Sequence, residues 1–158
     1  VAVGMWDDHW VNGNNFYLYF NSTDMYNYKL FFIPYDYDNT LGTSGIIDAG
    51  RQNPFDWGDK GLLMKRMMKF PEFRKIYKEA LLELIDSEKG YFDTDSAMSR
   101  IKTWQDGIKS ITDNDTGEDR FIYDQPASWG NHSEYRLMEK GPNNFFSVKA
   151  ESIRSMGN

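Results

Sequence analysis

The 158-residue chain contains no cysteine. Disulfides, thiolate catalysis and cysteine-ligated zinc are therefore excluded. It has few histidines, only His9 and His132, and one imidazole makes no metal site by itself. No apolar run approaches the roughly 20 residues that span a bilayer. Val1-Ala2-Val3-Gly4 has neither the basic start nor the long apolar stretch of a signal peptide. No Met begins the chain, and it reads as a cut made inside a longer protein. Basic residues are in the minority, 18 Lys+Arg against 24 Asp+Glu, for a formal net charge of −6. That balance argues against a duplex nucleic-acid partner, which needs a basic face. It suits divalent cations, which carboxylate oxygens bind.

What is present is a globular composition, 40% hydrophobic and 27% charged, too apolar for a disordered chain. Aromatics reach 16%, enough rings to fill a core or line a cleft. The length fits one domain or a piece of one.

The chain divides into three stretches. From Val1 to about Gly45 it reads as β. Phe16-Tyr17-Leu18-Tyr19-Phe20 and Tyr28-Lys29-Leu30-Phe31-Phe32-Ile33 are runs of strand formers. The polar, turn-rich segment Asn21 to Asn27 separates them, so they are expected to pair as an antiparallel hairpin. Pro34 ends the second strand because it donates no ladder hydrogen bond. Residues 46–61 form a connector, part of a glycine-rich run with Gly42, Gly45, Gly50, Gly58 and Gly61. Residues 62–158 read as mostly helical. A short helix is expected over Gly61 to Phe70. Pro71 then opens a second helix, whose stripe Phe73, Ile76, Tyr77, Ala80, Leu81, Leu84 and Ile85 has the 3.6-residue period. Gly90 stands just past its end. Thr94 is expected to cap a third helix carrying Met98, Ile101, Trp104, Ile108 and Ile111. Asp113 to Gly141 reads as polar and irregular. Pro142 to about Met156 reads as a last helix with Phe145, Phe146, Val148 and Ile153 facing in. The expected fold class is α+β, a small antiparallel sheet followed by a helical bundle.

Two polar clusters flank the hairpin. Trp6-Asp7-Asp8-His9-Trp10-Val11-Asn12-Gly13-Asn14-Asn15 precedes its first strand. Ile33-Pro34-Tyr35-Asp36-Tyr37-Asp38-Asn39-Thr40-Leu41-Gly42 follows its second. A hairpin brings the residues before one strand beside those after the other. Asp7 or Asp8, Asn14 or Asn15, and Asp36 or Asp38 are thus expected at one end of the sheet. If the backbone stays extended, Asp36 and Asp38 point the same way. Converging carboxylates repel unless a cation lies between them, and Mg²⁺, Mn²⁺ or Ca²⁺ is the natural tenant. Asp and Asn at strand ends also make local turns, which is the plainer use of the same residues. His9 reads as a packing or surface histidine.

Two look-alikes carry less. Asp36-Tyr37-Asp38-Asn39-Thr40 resembles the Asp-x-Asp-x-Thr signature of haloacid-dehalogenase-type phosphatases, whose fold requires a parallel sheet of βαβ units. Asp113 to Asp119, with Asp124, has the flavour of a calcium loop. However, Gly117 stands at a ligand position, Glu118 where the glycine belongs, and Asp124 where the bidentate Glu belongs.

The paired clusters resemble the spore-coat protein H (CotH) kinase family. The resemblance lies in Gly4-Met5-Trp6-Asp7, in Asn14-Asn15-Phe16-Tyr17-Leu18-Tyr19, and in Ile33-Pro34-Tyr35-Asp36-Tyr37-Asp38-Asn39-Thr40-Leu41-Gly42. Pro71-Glu72-Phe73-Arg74 and the tail from Phe145 to Met156 match more loosely. Tyr35 stands where the family more often has Trp. The resemblance implies the carboxyl-terminal lobe of an atypical protein-kinase-like fold that moves phosphate from ATP to Ser or Thr of a protein. Asp7, or Asp8, would be the catalytic-loop aspartate. Asn15, or Asn14, would be the metal-binding asparagine, and Asp36 would hold Mg²⁺ on the ATP phosphates with Asp38 assisting. A kinase also needs a nucleotide-covering lobe with a phosphate-binding lysine, so residues 1–158 alone are expected to bind metal with little activity. The partner implied is a protein substrate, and the location a bacterial spore, cell surface or extracellular space. The alternative is a non-catalytic binding module of a large extracellular bacterial protein.

Overall fold

The computed structural model describes residues 1–23, 26–43, 47–89, 91–116, 126–128 and 131–156. Strand formers at Phe16–Asn21 (β1) and Lys29–Pro34 (β2) pair antiparallel, with Phe16 opposite Pro34 and Asn21 opposite Lys29. Four helices follow: Leu62–Met67 (α1), Pro71–Leu84 (α2), Thr94–Thr116 (α3) and Phe145–Ser155 (α4). Between α3 and α4 a second antiparallel pair joins Ala127–Ser128 (β3) to Asn131–His132 (β4). The arrangement is α+β, as composition and periodicity predict. β2 pairs antiparallel with β1, not in the parallel sheet that the phosphatase signature requires.

The core gathers around α4. Phe145 and Ile153 are fully buried, and Phe146 and Ala150 nearly so. They meet Leu81 and Ile85 at the end of α2, Phe92 and Ala97 around the start of α3, and Ala49, Tyr135 and Leu137 from the loops. Each large apolar side chain so buried contributes about 1.5–3 kcal/mol. Asn144 caps α4 by accepting from the Ser147 backbone N–H at 3.1 Å. At its first residue, Phe145 N–H donates to the Arg136 carbonyl at 2.9 Å, fixing where the helix enters the core.

Several helical expectations shift. α4 begins at Phe145 rather than Pro142, and α1 is confined to Leu62–Met67 with no buried residue. α2 buries only Leu81; Phe73 and Ile76, on the same stripe, stay exposed. Asp93, not Thr94, caps α3: its carboxylate accepts from Ser96 N–H at 3.1 Å and its carbonyl from Ala97 N–H at 2.9 Å. α3 runs on through Asp113–Thr116, which had read as irregular, and leaves Trp104 (66% exposed), Ile108 and Ile111 uncovered. A periodic stripe signals a helix whether or not a partner covers it. Gly90 lies outside the described residues, as does 117–125, most of the calcium-like stretch. Among the described residues, no helix is long and apolar enough to cross a membrane.

Candidate functional site

The base of the β1–β2 hairpin joins the two polar clusters. Tyr35 N–H donates to the Asn15 carbonyl at 3.1 Å, extending the ladder by one step. On the far side of the clusters, Leu41 N–H donates to the Val3 carbonyl at 2.8 Å and Trp6 N–H to the Asn39 carbonyl at 3.4 Å. The segment around Asp7 is therefore laced to the segment around Asp36 at both flanks. The connector holds the same loop from behind. Trp57 Nε1 donates to the Met5 carbonyl at 3.0 Å, and Trp10 Nε1 to the Gly58 carbonyl at 2.7 Å. Gly58 is needed there, since a Cβ on it would stand 2.8 Å from the Trp10 carbonyl oxygen.

Asp7 and Asp8 are put to different uses. Asp8 Oδ1 accepts from the backbone N–H groups of Trp10 (2.9 Å) and Val11 (2.8 Å), and its carbonyl accepts from Asn12 and Asn14 N–H, both at 3.1 Å. This is a local turn closed by an aspartate. Asp7 instead receives side-chain amides. Asn12 Nδ2 donates at 2.9 Å, Asn14 Nδ2 at 3.3 and 3.4 Å to the two carboxylate oxygens, and Asn15 Nδ2 at 3.0 Å. Asn15 also donates to the Asp7 carbonyl at 2.9 Å, so both its amide protons are used. Asn15 is 8% exposed.

Across the hairpin base, the Asp36 carboxylate takes no hydrogen bond from the described residues, while Asp38 accepts from Ser128 Oγ at 2.9 Å. The same hydroxyl reaches Asn39 Oδ1 at 3.1 Å. The extended backbone that would align Asp36 with Asp38 is not there. Asp36 has φ +59° and the chain turns immediately after it. Among the described residues, three non-glycines adopt positive φ: Asn15 (+53°), Asp36 (+59°) and Leu41 (+57°). Asn15 and Asp36 lie on the two sides of the hairpin base, with Tyr35 opposite Asn15. Such conformations cost about 1–3 kcal/mol each and persist where surrounding contacts impose them.

The electrostatics follow the geometry. Partial burial, the neighbouring Tyr17 phenol, and the negative charges of Asp36 and Asp7 all raise the Tyr35 phenol above its ordinary value. One side chain thus senses carboxylates from both clusters. Asp8 acts on other groups. Burial lowers the His9 imidazole, and Asp8 partly offsets that; burial and Asp8 together raise Tyr37 and Tyr77. His9 packs its ring edge against Phe32 at 4.4 Å and Phe16 at 5.8 Å, a packing role. It lines an apolar cavity of about 520 Å³ with Trp10, Leu30, Phe32, Met64 and Tyr77.

Among the described residues, no three carboxylate or imidazole groups gather closely enough to cage a metal. Sequence reasoning missed Ser128, the partner of Asp38, because nothing in a polar loop marks which hydroxyl folds back over 90 residues. It also passed over Lys149, which lies fully buried on α4 over the Trp57 ring. Lys149 sits four residues from both Phe145 and Ile153, so the helical period itself placed it on the inner face.

Comparison with curated proteins and with solved structures gives no match in either case. A family profile described as CotH kinase protein matches residues 1–138. That span covers both polar clusters, the hairpin and the first three helices, so the chain belongs to the CotH kinase protein family.

Proposed function

We propose that this chain carries the acceptor and metal side of an ATP-dependent protein kinase, with Asp7, Asn15 and Asp36 as its working residues. The observation behind this reading is the hairpin base, which ties Asp7 to Asn15 and sets Asp36 across from them, with Asn15 and Asp36 both in a left-handed backbone. Asp8 is committed to its turn, and Asn14 bonds Asp7 at longer distance than Asn15 does. Asp7, rather than Asp8, is thus the aspartate assigned to accept the proton of a Ser or Thr hydroxyl as that oxygen attacks the γ-phosphorus and ADP leaves. Three side-chain amides hold its carboxylate in place meanwhile.

The donor set fits Mg²⁺ or Mn²⁺. Among the described residues neither the Asp36 carboxylate nor the Asn15 amide oxygen accepts a hydrogen bond, which makes two oxygen donors; Asp38 stands behind, held by Ser128. Mg²⁺ is commonly held by one or two carboxylates together with substrate phosphates and water. Bound there, the ion supplies charge neutralisation of the β- and γ-phosphate oxygens. Calorimetric titration of Mn²⁺ in the presence of ATP tests the assignment. Asp36→Ala should bind at least tenfold more weakly than the unaltered chain, and equal affinity would remove the basis for the reading.

A second reading is a binding module without catalysis. It is favoured by the hairpin, which exposes Tyr17, Leu18, Tyr19, Phe20, Phe31 and Ile33, and which could present these side chains to another protein. Transfer of labelled phosphate from ATP to a protein hydroxyl by the full-length parent decides between the two. The family's association with spore coats fits a bacterial spore-surface or extracellular location under either reading.

A further inference from the structure

β1 places Tyr17 and the end of β2 places Tyr35 so that their rings stack, 4.8 Å apart and 20° from parallel. Neither ring belongs to the core: Tyr17 is 62% exposed and Tyr35 40%. Stacked aromatic pairs across a hairpin are ordinarily sheet stabilisers, but this one lies at a particular place. Tyr35 is bonded through its backbone N–H to the carbonyl of Asn15 and is followed directly by Asp36. The strained backbone of Asp36 must be imposed from outside, because its own carboxylate takes no hydrogen bond from the described residues. The residue before it supplies three restraints, the Asn15 hydrogen bond, a hydrogen bond between the Tyr17 and Tyr35 phenols, and the ring stack. The Asn15 hydrogen bond fixes where the Tyr35 peptide sits. The stack fixes how Tyr35 is rotated, and with it the direction in which the chain enters Asp36.

We infer that the Tyr17–Tyr35 stack is a positioning device that holds Asp36 in its left-handed conformation and so aims its carboxylate toward the Asn15 side of the site. This rests on the assignment of Asp36 as a metal ligand. Tyr17 touches no reacting atom and acts only through Tyr35. Its hydroxyl also hydrogen-bonds the Tyr35 phenol, but the ring face does the holding.

The test uses the 158-residue chain with Mn²⁺ as probe in the presence of ATP, titrated by calorimetry, alongside thermal melting. Tyr17→Ala should bind Mn²⁺ about three- to tenfold more weakly, the worth of one aromatic pair. Tyr17→Phe should bind like the unaltered chain. Tyr17→Leu keeps an apolar strand residue without a ring and should behave like Tyr17→Ala even if that variant folds poorly. The inference is overturned if Tyr17→Leu binds Mn²⁺ normally while Asp36→Ala does not, or if Tyr17→Phe loses as much as Tyr17→Leu. If Asp36→Ala itself binds normally, the assignment of the metal site fails, and the stack's role fails with it.

Discussion

Replacing Lys149 by Met should make the protein more stable at neutral pH. α4 carries this ammonium into full burial, 0% exposed, with no hydrogen-bond partner for Nζ among the described residues. Burial lowers the amine from 10.5 to about 8, against the opposing pull of the Asp48 carboxylate. The Val1 amino group adds a like charge nearby. At about 1.4 kcal/mol per pH unit, the gap between 10.5 and 8 is worth about 3 kcal/mol. The face of Trp57, 4.7 Å from Nζ, returns up to about 2 kcal/mol of that. A net penalty of about 1 kcal/mol remains, or about 2–4 °C in melting temperature for a chain of this size. The folded value lies below the unfolded one, so the charged form opposes folding. The penalty is complete below about pH 8 and disappears as pH rises through 10.5. Lys149→Met should therefore melt higher than the unaltered protein at pH 7, and the difference should narrow markedly by pH 10. Circular dichroism melts at pH 7, 8.5 and 10 make the comparison, and groups common to both proteins cancel. A variant that melts lower by the same margin at every pH would show that Lys149 stabilises through packing and that its charge is no burden.

Three further outcomes follow from the contacts. Asp8→Ala removes the acceptor for Trp10 and Val11 N–H and should cost about 1 kcal/mol in urea unfolding. Mn²⁺ binding through Asp36 should persist, and a variant of unchanged stability would mean that the turn does not depend on this carboxylate. Gly42 has φ +86°, and a Cβ on it would stand 2.6 Å from Tyr135 Cδ2 and closer still to Ser133 Oγ. Gly42→Ala should thus lower stability by about 2 kcal/mol or more, and an unchanged urea midpoint would contradict the packing. Tyr135→Phe removes a hydroxyl that donates to Asp48 and accepts from Arg51 at 3.0 Å, at a cost of about 1–3 kcal/mol. Burial pushes the Asp48 carboxyl up, but Tyr135 and Arg51 outweigh it and hold the group below 3.8. Stability from that depression is present above pH 4 and lost on acidification below it. Melts between pH 6 and pH 3 should show a shallower acid limb in Tyr135→Phe, and parallel limbs would exclude the contact.

The hairpin was legible because its signals are local. Phe16–Asn21 and Lys29–Pro34 are strand formers separated by turn residues, and proximity in the chain makes their pairing the easiest to form. The juxtaposition of the two polar clusters follows from that pairing alone. The difference between Asp7 and Asp8 was not legible. Both are aspartates one residue apart, and only the path of the loop decides which carboxylate meets backbone N–H groups and which meets the amides of Asn12, Asn14 and Asn15. The cap of α3 was misplaced by one residue for the same reason, since Asp93 and Thr94 are both good caps by residue type.

Local pattern, by itself, determined the α+β class, the hairpin and the stretches that would become helices, because strand and helix periods are written in neighbouring residues. Tertiary structure alone decided which faces were covered. The stripes of α2 and α3 look as apolar as that of α4, yet only α4 is buried along most of its length. It also decided that Asp36 would turn left-handed and part company with Asp38, which Ser128 draws away. Burial and side-chain pairing depend on residues 50 to 100 positions distant, and those distances are not encoded in any local period.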